Sequence, residues 1–197
     1  FLENVNGRTL DKINEMGLTK EEKLKIMFEI MVLIEYLHNK HYVYRDLKLN
    51  NLIIDKNKSV VLFDFDRLIN LDIQRSNEQI TKDLNRVFGA PELSYNISYE
   101  ADIFSLGYLI YFIINDNLTI KQMDSIVQGG KKLEIPPNCE YSELINKANE
   151  CISIEPEKRP KISELIDFFY FNYFSKIPNQ ISEKNVIESI KNIHDIK

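Results

Sequence analysis

The chain has 197 residues, 44% of them apolar, and a formal net charge of −5. That length and apolar share suit one domain of ordinary size. Charges of both signs spread along the chain exclude a general nucleic-acid binder, which needs concentrated Lys and Arg, and no apolar run is long enough to span a membrane.

The chain opens on Phe1 in mid-pattern, so a missing N-terminal portion is expected, and the absence of a signal peptide carries little weight. A short helix is predicted at about 9–16, with Leu10, Ile13 and Met16 on one side. Thr19 and Glu22 have the spacing of a capping box, and the apolar residues after them predict a long helix over 20–38. A short extended piece follows at 42–44. Two β-type runs, "LIID" (52–55) and "VVLF" (60–63), flank a polar turn and read as a hairpin. Residues 66–89 form a long polar loop, the kind that is usually functional. "ADIFSLGYLIYFII" (101–114) is apolar nearly all round and belongs in the middle of a domain. Further helices are predicted at about 119–128, 141–152, 162–174 and 182–194. Gly129-Gly130 reads as a helix end. The class is mainly α with a small β-hairpin.

Cys139 and Cys151 read as reduced thiols of an intracellular, cytoplasmic protein rather than a disulfide. His38, His41 and His194 lack metal-ligand spacing and read as surface or helix-end residues.

"YRDLKLNN" (44–51) packs charges and amides between two apolar runs. It ends where the first strand begins, and Asp64 follows the second strand. Closing the hairpin therefore lets Asp46, Asn51 and Asp64 converge. Asn and Asp oxygens are hard donors suited to Mg²⁺, which takes one or two carboxylates plus substrate phosphates. Lys48 is a point charge for a phosphate oxygen. Asp46 is then free to orient a hydroxyl and receive its proton. Each residue alone reads as part of a solvated loop; the set points to phosphoryl transfer.

These motifs resemble the eukaryotic protein kinase family, of serine/threonine type, and specifically its larger C-terminal lobe. "YRDLKLNN" resembles the catalytic loop, "DFD" (64–66) the metal-binding DFG, and "APE" (90–92) the end of the activation segment. "DIFSLG" (102–107) resembles the start of the lobe's central helix. The order and spacing hold from about residue 1 to 174. The resemblance implies a division into an interlobe hinge (1–8), a kinase C-lobe (9–176) and a C-terminal helical extension (177–197).

It also implies roles. Asp46 would be the catalytic base and Lys48 the contact to the transferred phosphate. Asn51 and Asp64 would hold Mg²⁺ and ATP. Tyr44 takes the place of the usual histidine, with Phe65 stacked on it. Asp102 would hold the backbone N–H groups of the catalytic loop, or else cap its own helix. Ile53 would floor the adenine, backed by Leu109 and Ile113. At the hinge, Leu2 would be the gatekeeper, and the backbones of Glu3 and Val5 would meet the adenine edge. Glu92 and Arg159 would form a buried ion pair. Arg45 would receive a phosphate from the activation segment, with Ser76 and Thr81 as candidate sites.

Several positions depart from the family pattern. Asp66 replaces the glycine of DFG, where a positive φ is expected. Asn85 stands for the usual threonine, and Leu49-Asn50 for the common Pro-Glu. No G-x-G-x-x-G occurs, so the fragment alone is expected to be inactive. The favoured reading is a serine/threonine kinase fragment that uses Mg-ATP on a protein substrate, with no nucleic-acid or membrane partner and the oligomeric state open. The alternatives are a pseudokinase acting as an interaction module and a kinase-fold enzyme acting on small molecules.

Overall fold

A computed structural model describes residues 6–73, 88–94, 96–128 and 131–177. The predicted helix at 182–194 and Gly129-Gly130 lie outside the described residues.

Helix α1 spans Lys20–Asn39. Its first turn is closed by the expected capping box: Glu22 N donates to the Thr19 hydroxyl, and Thr19 N donates to the Glu22 carboxylate. Buried residues extend well beyond one stripe, because Ile26, Ile30 and Leu33 are covered as well as Leu24, Met27, Met31 and Ile34. The helix therefore lies inside the domain. Helix α2, Glu100–Ile114, is buried at every residue from Ala101 to Ile113, as an all-apolar helix requires. Its neighbour is α4, Ser142–Cys151, and Gly107 is what lets them approach. A Cβ on Gly107 would sit 2.8 Å from the Ala148 carbonyl oxygen and 2.8 Å from Cys151 Cβ. Helix α3, Ile120–Gln128, is anchored through buried Met123. Helix α5, Ile162–Asn172, returns to α1, where Phe28 stacks on Phe169 at 6.4 Å between centroids.

The β structure exceeds the expected hairpin. Strands β3 (Leu52–Asp55) and β4 (Val60–Leu62) pair as predicted, with Leu52 opposite Leu62. A third strand, β1 (Gly7–Thr9), lies on the other side of β3, with Thr9 opposite Ile53. A three-residue strand gives no legible period, and its close approach to Ile54 depends on Gly7 having no side chain. Strand β2 (Tyr42–Val43) pairs with β5 (Ile69–Asn70), which falls inside the stretch expected to be loop. The segment Leu10–Glu15 is a 3₁₀ helix, and α5 stops at Asn172 before a separate 3₁₀ turn at Phe174–Lys176.

One polar device fixes the β3–β4 turn to α1. The Val60 N–H donates to Glu29 Oε2 at 2.7 Å, and Lys25 Nζ lies 3.3 Å from Glu29 Oε1. Lys25 also donates to the Lys58 carbonyl and the Ser59 hydroxyl. Burial pushes the Glu29 carboxyl above its ordinary range, against the pull of Lys25 and the Val60 N–H. An acid raised in the folded state contributes its stability below the unfolded value and loses it as pH rises through the folded one. Glu29→Gln, which mimics the neutral form, is thus expected to gain on wild type with rising pH. The gain should be largest at about pH 8 and close to zero at about pH 4, read from thermal unfolding at both.

Candidate active site

The site is assembled around Asp102, a fully buried carboxylate in the first turn of α2. Its Oδ2 accepts the Tyr44 N–H at 2.9 Å and its Oδ1 accepts the Arg45 N–H at 2.8 Å. His38 Nε2 lies 3.0 Å from Oδ2. His38 is therefore a buried residue at the end of α1, not a surface one. These bonds hold Arg45 at φ 65°, a left-handed conformation that costs a non-glycine residue about 1–3 kcal/mol unless its surroundings enforce it.

Tyr44 is buried, and burial raises its hydroxyl well above the ordinary tyrosine value. It therefore stays a donor, and its O–H donates to the Phe63 carbonyl oxygen. That bond ties the polar loop to the exit of β4. Phe65 does not stack face to face on Tyr44. Its ring meets Tyr44 edge-on at 5.8 Å and 77°, and the side chain is 49% exposed.

Asp46 follows at 7% exposure. Its Oδ2 accepts Lys48 Nζ at 2.7 Å and Asn51 Nδ2 at 2.9 Å. Asn51 Nδ2 also donates to the Asp46 backbone oxygen at 3.0 Å. With the amide nitrogen committed to Asp46, Oδ1 is the Asn51 atom left for a cation. The Phe63 N–H donates to the Asn51 backbone oxygen at 3.2 Å, which sets Asp64 beside the end of the loop. Asp64 is exposed and makes no hydrogen bond or ion pair among the described residues.

This donor set fits Mg²⁺. It offers one carboxylate and one amide oxygen, both hard, and leaves most of an octahedron to phosphates and water. Among the described residues no group of three His, Cys, Asp or Glu side chains makes a protein-only cage.

The strained position in this segment is Asp64, at φ 61°, whereas Asp66 is not among the described non-glycine residues with positive φ. The replacement of glycine by Asp66 is therefore met without left-handed backbone at that residue. Aspartate tolerates the left-handed region better than most residues, which suits Asp64 to its place.

Arg67, which the motif pattern did not single out, reaches the same carboxylate. Its Nη1 lies 3.9 Å from Asp46 Oδ1. Arg45 Nε donates to the Arg67 carbonyl at 2.6 Å, so two guanidinium groups stand close together. Burial first, and the nearby Arg67 charge second, lower the Arg45 pKa. Nothing periodic marks Arg67, because its position depends on the β2–β5 pairing.

Glu92 and Arg159 meet as a buried bidentate pair, with Arg159 Nη2 2.9 Å from Glu92 Oε2. Ile53 is half-buried in the middle strand of the three-stranded sheet, and Leu109 and Ile113 are buried in α2. Leu2, Glu3 and Val5, the two candidate phosphorylation residues Ser76 and Thr81, and Asn85 lie outside the described residues.

The protein kinase domain family model matches residues 1–171. The chain is similar to the serine/threonine-protein kinase TOS3 of Saccharomyces cerevisiae, 28% identical across 98% of this chain and 39% of that protein. It is similar to the serine/threonine-protein kinase ppk16 of Schizosaccharomyces pombe, 29% identical across 84% of this chain and 26% of that protein. It is also similar to the dual specificity protein kinase pyk3 of Dictyostelium discoideum, 26% identical across 84% of this chain and 13% of that protein. The chain thus spans about two-fifths or less of these relatives' length. A family match over most of the chain, on a fold that gathers the loop, the hairpin end and the central helix at one place, shows that this chain belongs to the protein kinase domain family.

Proposed function

We propose that the protein is a serine/threonine protein kinase and that this chain is the C-terminal lobe of its catalytic domain. Residues 1–8 would be the hinge to the other lobe, and 177–197 a helical extension. The observation that carries the activity is the Asp46 carboxylate, oriented through Oδ2 by Lys48 and by Asn51, whose backbone oxygen accepts the Phe63 N–H at the exit of β4.

Bound Mg-ATP supplies the phosphoryl group and the divalent charge. Asn51 Oδ1 and the Asp64 carboxylate would hold the metal, and Ile53 would face the adenine. Asp46 Oδ1 would accept the hydroxyl proton of a Ser or Thr in a protein substrate. The bond from the Ser or Thr oxygen to the γ-phosphorus would form as the bond to the β–γ bridging oxygen breaks, with ADP as the leaving group. Lys48, already anchored on Asp46, would meet the charge on the transferred group.

Other features fit this reading. The net charge of −5, with both signs spread along the chain, argues against a general nucleic-acid binder. No helix among the described residues is long and apolar enough to cross a membrane. Both cysteines are free, and burial pushes the Cys151 thiol up to about 12, which suits an unreactive core residue of an intracellular protein.

The test is transfer of radiolabel from γ-labelled ATP to a Ser/Thr peptide library by the full-length gene product. Transfer should disappear in Asp64→Ala and Asp46→Asn, while Mg-ADP binding disappears only in the first. A second reading, a non-catalytic interaction module, draws on the half-exposed Phe65 and on Asp66. Absence of both label transfer and Mg-dependent nucleotide binding would select it.

A further inference from the structure

Oδ2 of Asp46 is fully engaged, with Lys48 Nζ at 2.7 Å and Asn51 Nδ2 at 2.9 Å. The other oxygen, Oδ1, faces Arg67 Nη1 at 3.9 Å, beyond hydrogen-bonding distance. An acceptor hydroxyl hydrogen-bonded to Oδ1 would stand about 2.7 Å from it, on the same carboxylate oxygen that the Arg67 guanidinium approaches. Lys48 and Arg67 flank the carboxylate on its two sides.

The backbone of Arg67 is pinned, so this placement is built in. Its carbonyl accepts Arg45 Nε at 2.6 Å, and Arg45 is itself held through its N–H by Asp102. Ahead of it, the Leu68 N–H donates to the Phe65 carbonyl in a turn. Behind it, Ile69 pairs with Val43. The side chain is 29% exposed, free enough to adjust to a ligand. The neighbouring Arg45 charge repels it, and Asp46 draws it in.

We propose that Arg67 is a catalytic residue of the phosphoryl transfer, a second cation that contacts the transferred group from the side of Asp46 opposite Lys48. The proposal rests on the kinase reading above and adds no step to it. Arg67 would supply charge-assisted N–H donors to equatorial phosphoryl oxygens as negative charge spreads over them.

The test uses the full-length protein, its Arg67→Ala and Arg67→Lys variants, and two measurements. The first is steady-state transfer to a Ser/Thr peptide. The second is calorimetric affinity for Mg-ADP, alone and with aluminium fluoride as a mimic of the transferred group. Arg67→Ala should lower kcat about 100-fold and leave the peptide KM within about two-fold, the signature of an interaction made in the transition state. It should weaken the aluminium fluoride complex strongly and Mg-ADP alone hardly at all. Arg67→Lys should recover part of both.

A variant as fast as wild type, or faster, would overturn the proposal; the second result would make Arg67 a plug on Asp46. Equal weakening of Mg-ADP with and without aluminium fluoride would overturn it too, as a merely structural effect. A wild-type protein that neither transfers phosphate nor binds the aluminium fluoride complex would remove the kinase reading, and this proposal with it. Transfer by wild type with no response to Arg67→Ala would remove the proposal alone.

Discussion

Glu92→Ala is expected to lower the stability of the domain by about 3–5 kcal/mol. The Arg159 side chain has 0% exposure and the Glu92 side chain 1%. Arg159 uses every part of its guanidinium. Nη1 donates to Glu92 Oε1 and, at 2.8 Å, to the Glu100 carbonyl. Nη2 donates to Glu92 Oε2, and Nε to the Ser153 carbonyl at 2.9 Å. The guanidinium carbon also lies 4.8 Å from the centre of the Phe104 ring. One side chain thus joins the Pro91–Ser94 turn, the start of α2 and the segment between α4 and α5. Removing Glu92 leaves a buried positive charge facing two carbonyls and a ring, with no counter-charge. For a domain whose whole stability is about 5–15 kcal/mol, that is a large part. Urea unfolding at pH 7 measures it. Glu92→Gln, which keeps the shape and one acceptor, should lose less. The double variant Glu92→Leu with Arg159→Met should lose less than the sum of the single changes, since the two residues share one interaction. A loss below about 1 kcal/mol for Glu92→Ala would mean that water reaches the pair.

The parts of this protein that were legible in the sequence are those whose physics is local. The capping box before α1 is four residues long and complete in itself. The all-apolar run of α2 has no face to offer water, and its burial follows directly. The hairpin closes the Phe63 N–H, one residue before Asp64, onto the Asn51 backbone oxygen because strand pairing is short-range in sequence. What stayed hidden depends on distant partners. His38 looked like an ordinary helix-end histidine, and only the approach of α2 to α1 makes it a partner of Asp102. Arg67 looked like one more charge in a polar loop, and only the β2–β5 register aims it at Asp46. Glu29 drew no notice in the sequence, yet it closes on the Val60 N–H across thirty-one positions. Phe65 was expected to stack on Tyr44, but ring orientation depends on packing that no motif spells out.

Asp102→Ala is expected to lower stability by about 3–5 kcal/mol and to abolish phosphate transfer, although Asp102 touches neither nucleotide nor acceptor in the proposed reaction. The two sequence readings of this residue, helix cap or loop holder, separate cleanly in the structure. The N-cap of α2 is Tyr99, with no side-chain cap bond, and both Asp102 oxygens point across to Tyr44 and Arg45. Truncation leaves two buried N–H groups unpaired, at about 1–3 kcal/mol each. It also frees Arg45 to leave its left-handed backbone, since the carboxylate no longer enforces φ 65°. Arg45 immediately precedes Asp46, so any relaxation there turns the Asp46 carboxylate away from Lys48 and Asn51. Asp102→Asn keeps one acceptor oxygen but turns an amide N–H₂ toward a backbone donor, so it should recover only part of the stability and little of the transfer. Amide hydrogen exchange reads the loop directly: the Tyr44 and Arg45 N–H groups should exchange slowly in wild type and lose most of that protection in Asp102→Ala. Protection unchanged in the variant would show that the loop holds its shape without Asp102, and the chain of bonds from the central helix to Asp46 would not be what positions the base.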